Sequence, residues 1–290
     1  MNNIPRLMLR VLPDKVYLQL QYYYKLRKFI NFRNPKTFNE KLQWLKINDR
    51  KPEYTKLVDK LAVKEFITDI IGKEYIIPTL GVWTDAKDID FDNLPDQFVL
   101  KANHDSGSVV VCRDKKKFDK EKAIEKLSRS MKRNFYWYGR EWSYKDVKPC
   151  IFAEQYMEDG VSTKNMPQGL TDYKFFCFNG DPEFVYVSKG LENHATAQIS
   201  FYDLNGEEMP FHRTDFAPIG EYQFPNNFED MIDVARKIAN NIDCSFTRVD
   251  LYSISNHIYF SEITFQPASG LLPLVPNEWD LKLGEMLKIK

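Results

Sequence analysis

The chain has 290 residues, 28% charged and 43% hydrophobic, with 41 basic side chains matched by 41 acidic ones. This composition belongs to a soluble globular protein long enough for one large domain or two interlocked ones. No apolar run approaches the roughly 20 residues of a membrane span, and the N-terminus lacks a compact apolar signal core, so the cytoplasm is the expected location. The cysteines Cys112, Cys150, Cys177 and Cys244 are scattered without CxxC spacing, which predicts buried thiols rather than a zinc site or a disulfide framework.

The balanced charge hides an asymmetry. Between Met1 and Lys36, eight basic residues face only Asp14, and the rest of the chain is correspondingly acidic. Such a start suits a solvated helix face, or a peripheral contact of residues 1–36 with anionic lipid at the inner membrane face, or an acidic polymer. The acidic remainder argues against nucleic acid. Asp14 to Ile30 reads as a helix rich in Tyr and Leu, fit for a membrane interface or for packing onto the protein. Thr37-Phe38-Asn39-Glu40 is a capping box that opens a second helix. A third runs from Glu53 to Ile71, with Gly72 placed to end it.

An acidic linker around Asp85, Asp88, Asp90, Asp92 and Asp96 follows, and then the pattern changes to strands. Gln97 to Lys101 and Val109 to Val111 read as strands flanking a polar turn. A helix covers Asp119 to Asn134, and Ile151 to Gln155 is a strand. Tyr173–Phe178 and Glu183–Val187 form a hairpin across Asn179-Gly180. A helix from Phe228 to Asn241 precedes two last strands, Phe246–Tyr252 and Ile258–Phe265. Hairpins mixed with helices argue for an α+β fold rather than a doubly wound parallel sheet.

Three places carry chemistry. With Asn256 as the centre of the last hairpin, Asp250 faces Glu262, and Arg248 pairs with Thr264 on the same face, while Val249, Leu251 and Ile263 point into a core. Two opposed carboxylates repel, and a divalent cation offsets that; magnesium uses one or two carboxylates plus phosphate oxygens. Arg248 beside them could hold a phosphate. In Leu100-Lys101-Ala102-Asn103-His104-Asp105-Ser106-Gly107, a lysine ends an apolar strand before a turn whose backbone N–H groups can cradle phosphate oxygens; it is not a Walker A loop. His104 there reads as a structural hydrogen-bonder rather than a base. In Glu154-Gln155-Tyr156-Met157-Glu158-Asp159, acids end a strand and could accept from an adenine amino group and ribose hydroxyls. Lys174, inside the aromatic run Asp172-Tyr173-Lys174-Phe175-Phe176, is either paired or at a site. An Asp-x-Asp motif for a glycosyltransferase metal occurs only as Asp88-Ile89-Asp90 and Asp90-Phe91-Asp92, inside the acidic linker.

Taken together these segments resemble the ATP-grasp superfamily, and more narrowly the TupA-like (teichuronopeptide-biosynthesis-like) ATP-grasp family of bacterial surface-polysaccharide clusters. The resemblance also rests on Pro35 to Trp44, Arg140-Glu141-Trp142, Asp172 to Gly180, and Glu262-Ile263-Thr264-Phe265 followed by Pro267-Ala268-Ser269-Gly270. It implies an ATP-grasp fold, two α+β subdomains clasping ATP: residues 76–160 with the phosphate loop and hinge, and 161–290 with the metal site. A helical segment, 1–75, precedes them where many relatives have a Rossmann-like domain. The implied activity is an ATP- and magnesium-dependent carboxylate–amine ligase working through an acyl phosphate, with an amino acid and a uronic acid on a glycan as substrates. Lys101 and Lys174 would contact phosphates, with His104, Ser106 and Gly107 nearby. Glu154, Gln155, Tyr156, Met157 and Glu158 would hold adenine and ribose. Asp250, Glu262 and Thr264 would bind magnesium, with Thr264 standing where many relatives have Asn. Arg248 would stabilise the transition state, and Ser269 and Gly270 would line the acceptor side. A phosphotransferase, a glycosyltransferase and a non-catalytic partner that keeps the fold are the rival readings.

Overall fold

The computed structural model describes residues 10–159, 169–191 and 195–289. In chain order the helices are α1 (Asp14–Leu26), α2 (Phe38–Asn48), α3 (Glu53–Val58), α4 (Val63–Ile71), α5 (Lys120–Met131), α6 (Tyr136–Gly139), α7 (Phe228–Asn240) and α8 (Glu278–Met286). A four-stranded sheet, in the order β1-β4-β2-β3, is built from β1 (Thr79–Trp83), β2 (Phe98–Ala102), β3 (Val109–Cys112) and β4 (Ile151–Gln155). A five-stranded sheet, in the order β10-β9-β5-β6-β7, contains β5 (Asp172–Phe178), β6 (Asp181–Lys189), β7 (Gln198–Asp203), β9 (Phe246–Ile254) and β10 (His257–Thr264), while β8 (His212–Arg213) and β11 (Leu274–Val275) form a separate pair. Every strand pair in both sheets is antiparallel, as the hairpin-rich pattern requires.

Strand alternation gives each sheet its two faces. In the small sheet Phe98, Leu100, Ile151 and Ala153 point into a core closed by Leu127 of α5. Val99, Lys101, Phe152 and Glu154, the residues between them, point into a cleft. In the large sheet Phe175, Val185, Val249 and Leu251 pack under α3, α4 and α7 through Leu57, Ile67 and Ala235. The opposite face is divided. Phe176, Phe178, Phe184 and Phe246 form an aromatic cluster covered by Phe38 and Leu42 of α2 and Leu283 of α8. The remaining part carries Asp172, Lys174 and Glu262 into the same cleft. The helices α2, α3 and α4 therefore share both cores of the large sheet.

Local sequence explains most boundaries. Thr37 caps α2 by accepting from the Glu40 N–H, and the Glu40 side chain returns to the Thr37 N–H, completing the capping box. The helix expected over Glu53–Ile71 is two helices. Asp59 breaks it: its carboxylate accepts from the N–H groups of Leu61 and Ala62 and from the Asn103 side chain. A short acidic side chain that binds its own following backbone competes with the helix. The helix from Asp14 ends at Leu26 rather than Ile30, because Arg27 is left-handed with φ 56°. The Asn179-Gly180 turn has positive φ at both residues and closes Phe178 against Asp181.

Contact between α2 and α8 is close enough to test. A Cβ at Gly284 would lie 2.0 Å from the Lys36 carbonyl oxygen and 2.8 Å from the Phe38 nitrogen, both backbone atoms. Gly284→Ala should therefore cost about 2 kcal/mol, a fall in Tm of several degrees measured by circular dichroism. An unchanged Tm would mean that the two helices separate without penalty.

Candidate active site

The last hairpin holds the two opposed carboxylates. Its register places Asp250 against Glu262 and Arg248 against Thr264. The route to that register differs from simple counting. The turn is centred between Ser255 and Asn256, both with positive φ, and an extra residue at Ser261 bulges β10 and restores the pairing. The bulge also turns Ser261 and Glu262 together toward the cleft, which both line.

Asp250 is fully buried. Arg248 grips it with a two-pronged contact, Nε to Oδ1 and Nη2 to Oδ2, both 2.7 Å. Lys174, opposite Asp250 on β5, donates to Oδ2 at 2.9 Å and lies 3.2 Å from Asp172. Arg248 Nη2 also donates to Glu262 Oε1 at 2.9 Å and to the Thr264 hydroxyl at 3.1 Å. The second Glu262 oxygen lies 3.3 Å from Lys60 Nζ. Burial pushes the Glu262 carboxyl up, but Lys60, Arg248 and Lys174 outweigh it and hold it well below the usual carboxylate range. Burial pushes the Lys174 ammonium toward neutrality, and Asp172 and Asp250 more than reverse that.

Across the cleft, Glu154 is paired twice, with Lys64 at 2.5 Å and Lys101 at 2.6 Å. Burial favours its protonated form, yet the two ammonium groups hold its carboxyl below the ordinary value. The turn after Lys101 is anchored at its ends. Asn103 accepts from the Cys150 N–H and donates to Asp59 and Lys148, while Asp105 accepts from Ser108 and Ser130. Lys60 donates to the Asp105 carbonyl at 2.6 Å, so one lysine ties this turn to Glu262. Gly107, with φ 90°, is at the exposed tip, and a Cβ there would meet nothing within 4 Å; its conformation rather than crowding calls for glycine.

A cleft of about 1040 Å³ between the sheets brings together Lys101, Ser106, Gly107, Glu154, Gln155, Tyr156, Met157, Lys174 and Glu262. Other expected residues lie elsewhere. His104 is buried with a ring nitrogen 3.2 Å from the Ser130 carbonyl oxygen, a structural position behind the turn. Glu158 lies near the Tyr156 hydroxyl, outside the cleft lining. Arg248, Asp250 and Thr264 form the layer beneath Glu262. Ser269 and Gly270 are held away from the cleft: Lys46 donates to the Ser269 carbonyl and hydroxyl, and Gln43 to the Ser269 and Gly270 carbonyls. Ala268 and Ser269 are both left-handed there, with φ 48° and 56°. Of the Asp-x-Asp residues, Asp90 accepts from Asn93 and Asp92 pairs with Lys120, and neither lines the cleft.

The residues that reading the sequence missed are Lys60 and Lys64. They are four residues apart, Lys60 at the α3–α4 junction and Lys64 on α4, in the apolar stretch Leu57-Val58-Asp59-Lys60-Leu61-Ala62-Val63-Lys64, and two lysines in an otherwise apolar stretch were the available signal. Asp172, quoted above only as part of a longer run, lines the cleft beside Lys174.

The donor set suits magnesium in part. Glu262 faces the cleft as an anion, whereas both Asp250 oxygens are engaged, so Asp250 would serve a metal only after Arg248 or Lys174 shifts. Among the described residues no group of three or more His, Cys, Asp or Glu converges. A magnesium ion here would complete its shell with phosphate oxygens and water, its usual habit.

The chain matches the TupA-like ATPgrasp family over residues 40–288 and belongs to that family. A comparison with curated proteins finds no match. Among solved structures it is similar to the D-alanine–D-alanine ligase of Helicobacter pylori (16% identity, TM-score 0.45, 87% of this chain and 66% of that one). It is also similar to the Bacillus anthracis D-alanine–D-alanine ligase complexed with ATP (15%, 0.42, 80% and 63%). A third is the L-amino acid ligase of Bacillus licheniformis (15%, 0.43, 80% and 50%). The chain thus spans between half and two thirds of these proteins.

Two predictions follow from the charges. Arg248→Met leaves Asp250 buried with Lys174 alone and should cost about 3 kcal/mol in urea unfolding; adding Asp250→Asn should recover much of it. Purely additive losses would show that the fork is not what holds the pair. Second, Glu154 and Glu262 have folded values below the ordinary 4.5. Their stabilisation is fully present above that value and is lost as pH falls through the lower folded ones. Lys60→Met, which brings Glu262 back toward its ordinary value, should make stability less steep below about pH 5. Parallel stability curves for the parent and the variant would contradict this.

Proposed function

We propose that the protein is an ATP- and magnesium-dependent carboxylate–amine ligase that joins an amino acid and a uronic acid in the synthesis of a bacterial surface polysaccharide. The observation that carries this reading is the convergence of Lys60, Lys101 and Lys174, from three separate elements, on one cleft with Glu262. Glu154, Asp172, Asp250 and Glu262 are met by Lys60, Lys64, Lys101, Lys174 and Arg248. The cations exceed the acids, which suits a polyphosphate ligand.

Phosphoryl transfer needs positioning and charge neutralisation more than a protein nucleophile. An oxygen of the substrate carboxylate attacks the γ-phosphorus, the bond to the β–γ bridging oxygen breaks, and ADP leaves with that electron pair. The amine nitrogen then attacks the acyl carbon, phosphate departs, and the nitrogen loses a proton. Lys101 and Lys174 would hold the phosphates from opposite sheets, with Ser106 and Gly107 at the turn, and Gln155, Tyr156 and Met157 would take the base and sugar. Arg248, behind Glu262, would keep the metal-side carboxylates ionised. Glu262 would hold magnesium, joined by Asp250 and Thr264 only once Arg248 or Lys174 shifts, and the ion would supply charge neutralisation of the triphosphate. A glycan substrate accords with the surface-polysaccharide setting that the resemblance implies.

The test is incubation with ATP and magnesium and paired amino acids and uronic acids, read by ADP release and mass spectrometry. Equal ADP and free phosphate, formed only when both partners are present, with an amide product, is the expected result. Phosphate retained on the sugar would replace the ligase with a phosphotransferase, and turnover of a nucleotide sugar without ATP would point to a glycosyltransferase. In an active pairing, Lys174→Met should lower kcat/KM by about 10²–10³-fold.

A further inference from the structure

More than half of the exposed large apolar side chains among the described residues are gathered in one place. Among the described residues ten large apolar side chains stand exposed, and six of them, Val11, Val16, Leu20, Tyr23, Tyr24 and Phe29, fall on α1 and its flanks. Isolated exposed apolar residues are ordinary, whereas a contiguous patch marks an interaction surface.

The helix that carries them is fixed in place. Its inner face, Tyr17, Leu18 and Tyr22, is buried together with Ile30. The Tyr17 hydroxyl and the Gln21 amide both donate to the Tyr138 carbonyl. Val16, Leu20 and Tyr23, spaced by four and three, form a stripe on the outer face. After the helix stops at the left-handed Arg27, the Phe29 ring stacks on Tyr23 with centroids 4.8 Å apart and extends the stripe, although Phe29 itself is 69% exposed.

Exposed cations accompany this stripe along the chain. Lys15, Lys25, Arg27, Lys28, Arg33 and Lys36 are all exposed. Asp14, the one acid among residues 1–36, is turned inward to Arg50, Arg140 and the Tyr136 hydroxyl. Acids from elsewhere reach its edge, Glu40 at Asn31 and Lys36 and Asp215 near Lys25, but the outer face is apolar and its exposed charges are predominantly positive.

We infer that this face docks on an anionic lipid bilayer, with Val16, Leu20, Tyr23 and Phe29 entering the headgroup boundary and the cations meeting lipid phosphates. The combination selects lipid over the alternatives. A soluble polyanion would engage the cations but offers nothing to Val16, Leu20 and Phe29. A second copy of the chain, paired about a two-fold axis, would bring like charges together.

Flotation of the full chain with vesicles tests this, using phosphatidylcholine alone or mixed with phosphatidylglycerol. The protein should float with the mixed vesicles and not with phosphatidylcholine alone. Leu20→Ser with Tyr23→Ser and Phe29→Ser should lower binding by roughly tenfold or more with every charge intact, as should Arg27→Glu with Lys28→Glu. The substitutions are on exposed positions far from the cleft, so ATP binding by calorimetry reports whether each variant is folded. No flotation of the parent, or flotation undiminished in the apolar variant, would overturn the inference. So would retention on a polyuronate with no vesicle binding, or a parent dimer that the apolar variant dissolves. None of these outcomes bears on the ligase reading, which is measured at the cleft.

Discussion

The structure turns on keeping Asp250 and Glu262 charged while they face each other across a hairpin, Asp250 closed to water, where burial pushes its carboxyl up, and Glu262 at the edge of the cleft. Two unpaired carboxylates in that setting would repel, and each would lose its hydration. Arg248 answers both demands: its planar fork takes both oxygens of Asp250 and still reaches Glu262 and Thr264. Lys174 comes from the neighbouring strand and Lys60 from the junction of α3 and α4. The fold must deliver all three. That requirement explains why α3 and α4 belong to the core of the large sheet: Leu57, Val63 and Ile67, buried beneath it, fix where Lys60 and Lys64 arrive.

A similar economy governs the opposite wall. Glu154 lies between Lys64 and Lys101, so Lys101 is held extended toward the cleft. Each of these site carboxylates is compensated by protein cations. Binding a nucleotide with its metal would exchange those partners rather than bring charges into an unprepared space, which limits the reorganisation the reaction demands.

Much of this was legible in the sequence because strands alternate. The pairs Arg248–Thr264 and Asp250–Glu262, the inward Val249 and Leu251, and the hairpin at Asn179-Gly180 follow from a period of two and from turn chemistry. The bulge at Ser261 was not legible: it depends on how β10 fits against its partner, and the right register came from assuming a turn centre half a residue off, which the bulge then offset. The helix break at Asp59 has a local cause, its carboxylate binding the Leu61 and Ala62 N–H groups, but the apolar periodicity through Ile71 masked it, and the Asn103 side chain that takes the other oxygen lies far along the chain. Strand β1 gave little signal, since Thr79-Leu80-Gly81-Val82-Trp83 is an edge strand whose alternate residues are not cleanly buried. The positions of His104 and Ser269 were equally out of reach, because each is set by distant partners, the Ser130 carbonyl and Lys46.

The central claim is that the charge-compensated layer around Glu262 is where ATP and magnesium bind. Calorimetry of ATP binding, with and without magnesium, tests it most directly in the parent and in Asp250→Ala with Glu262→Ala. The account predicts binding by the parent that magnesium strengthens, and loss of that magnesium dependence in the folded double variant. A folded parent that binds no ATP, or a double variant that binds it with unchanged magnesium dependence, would contradict it.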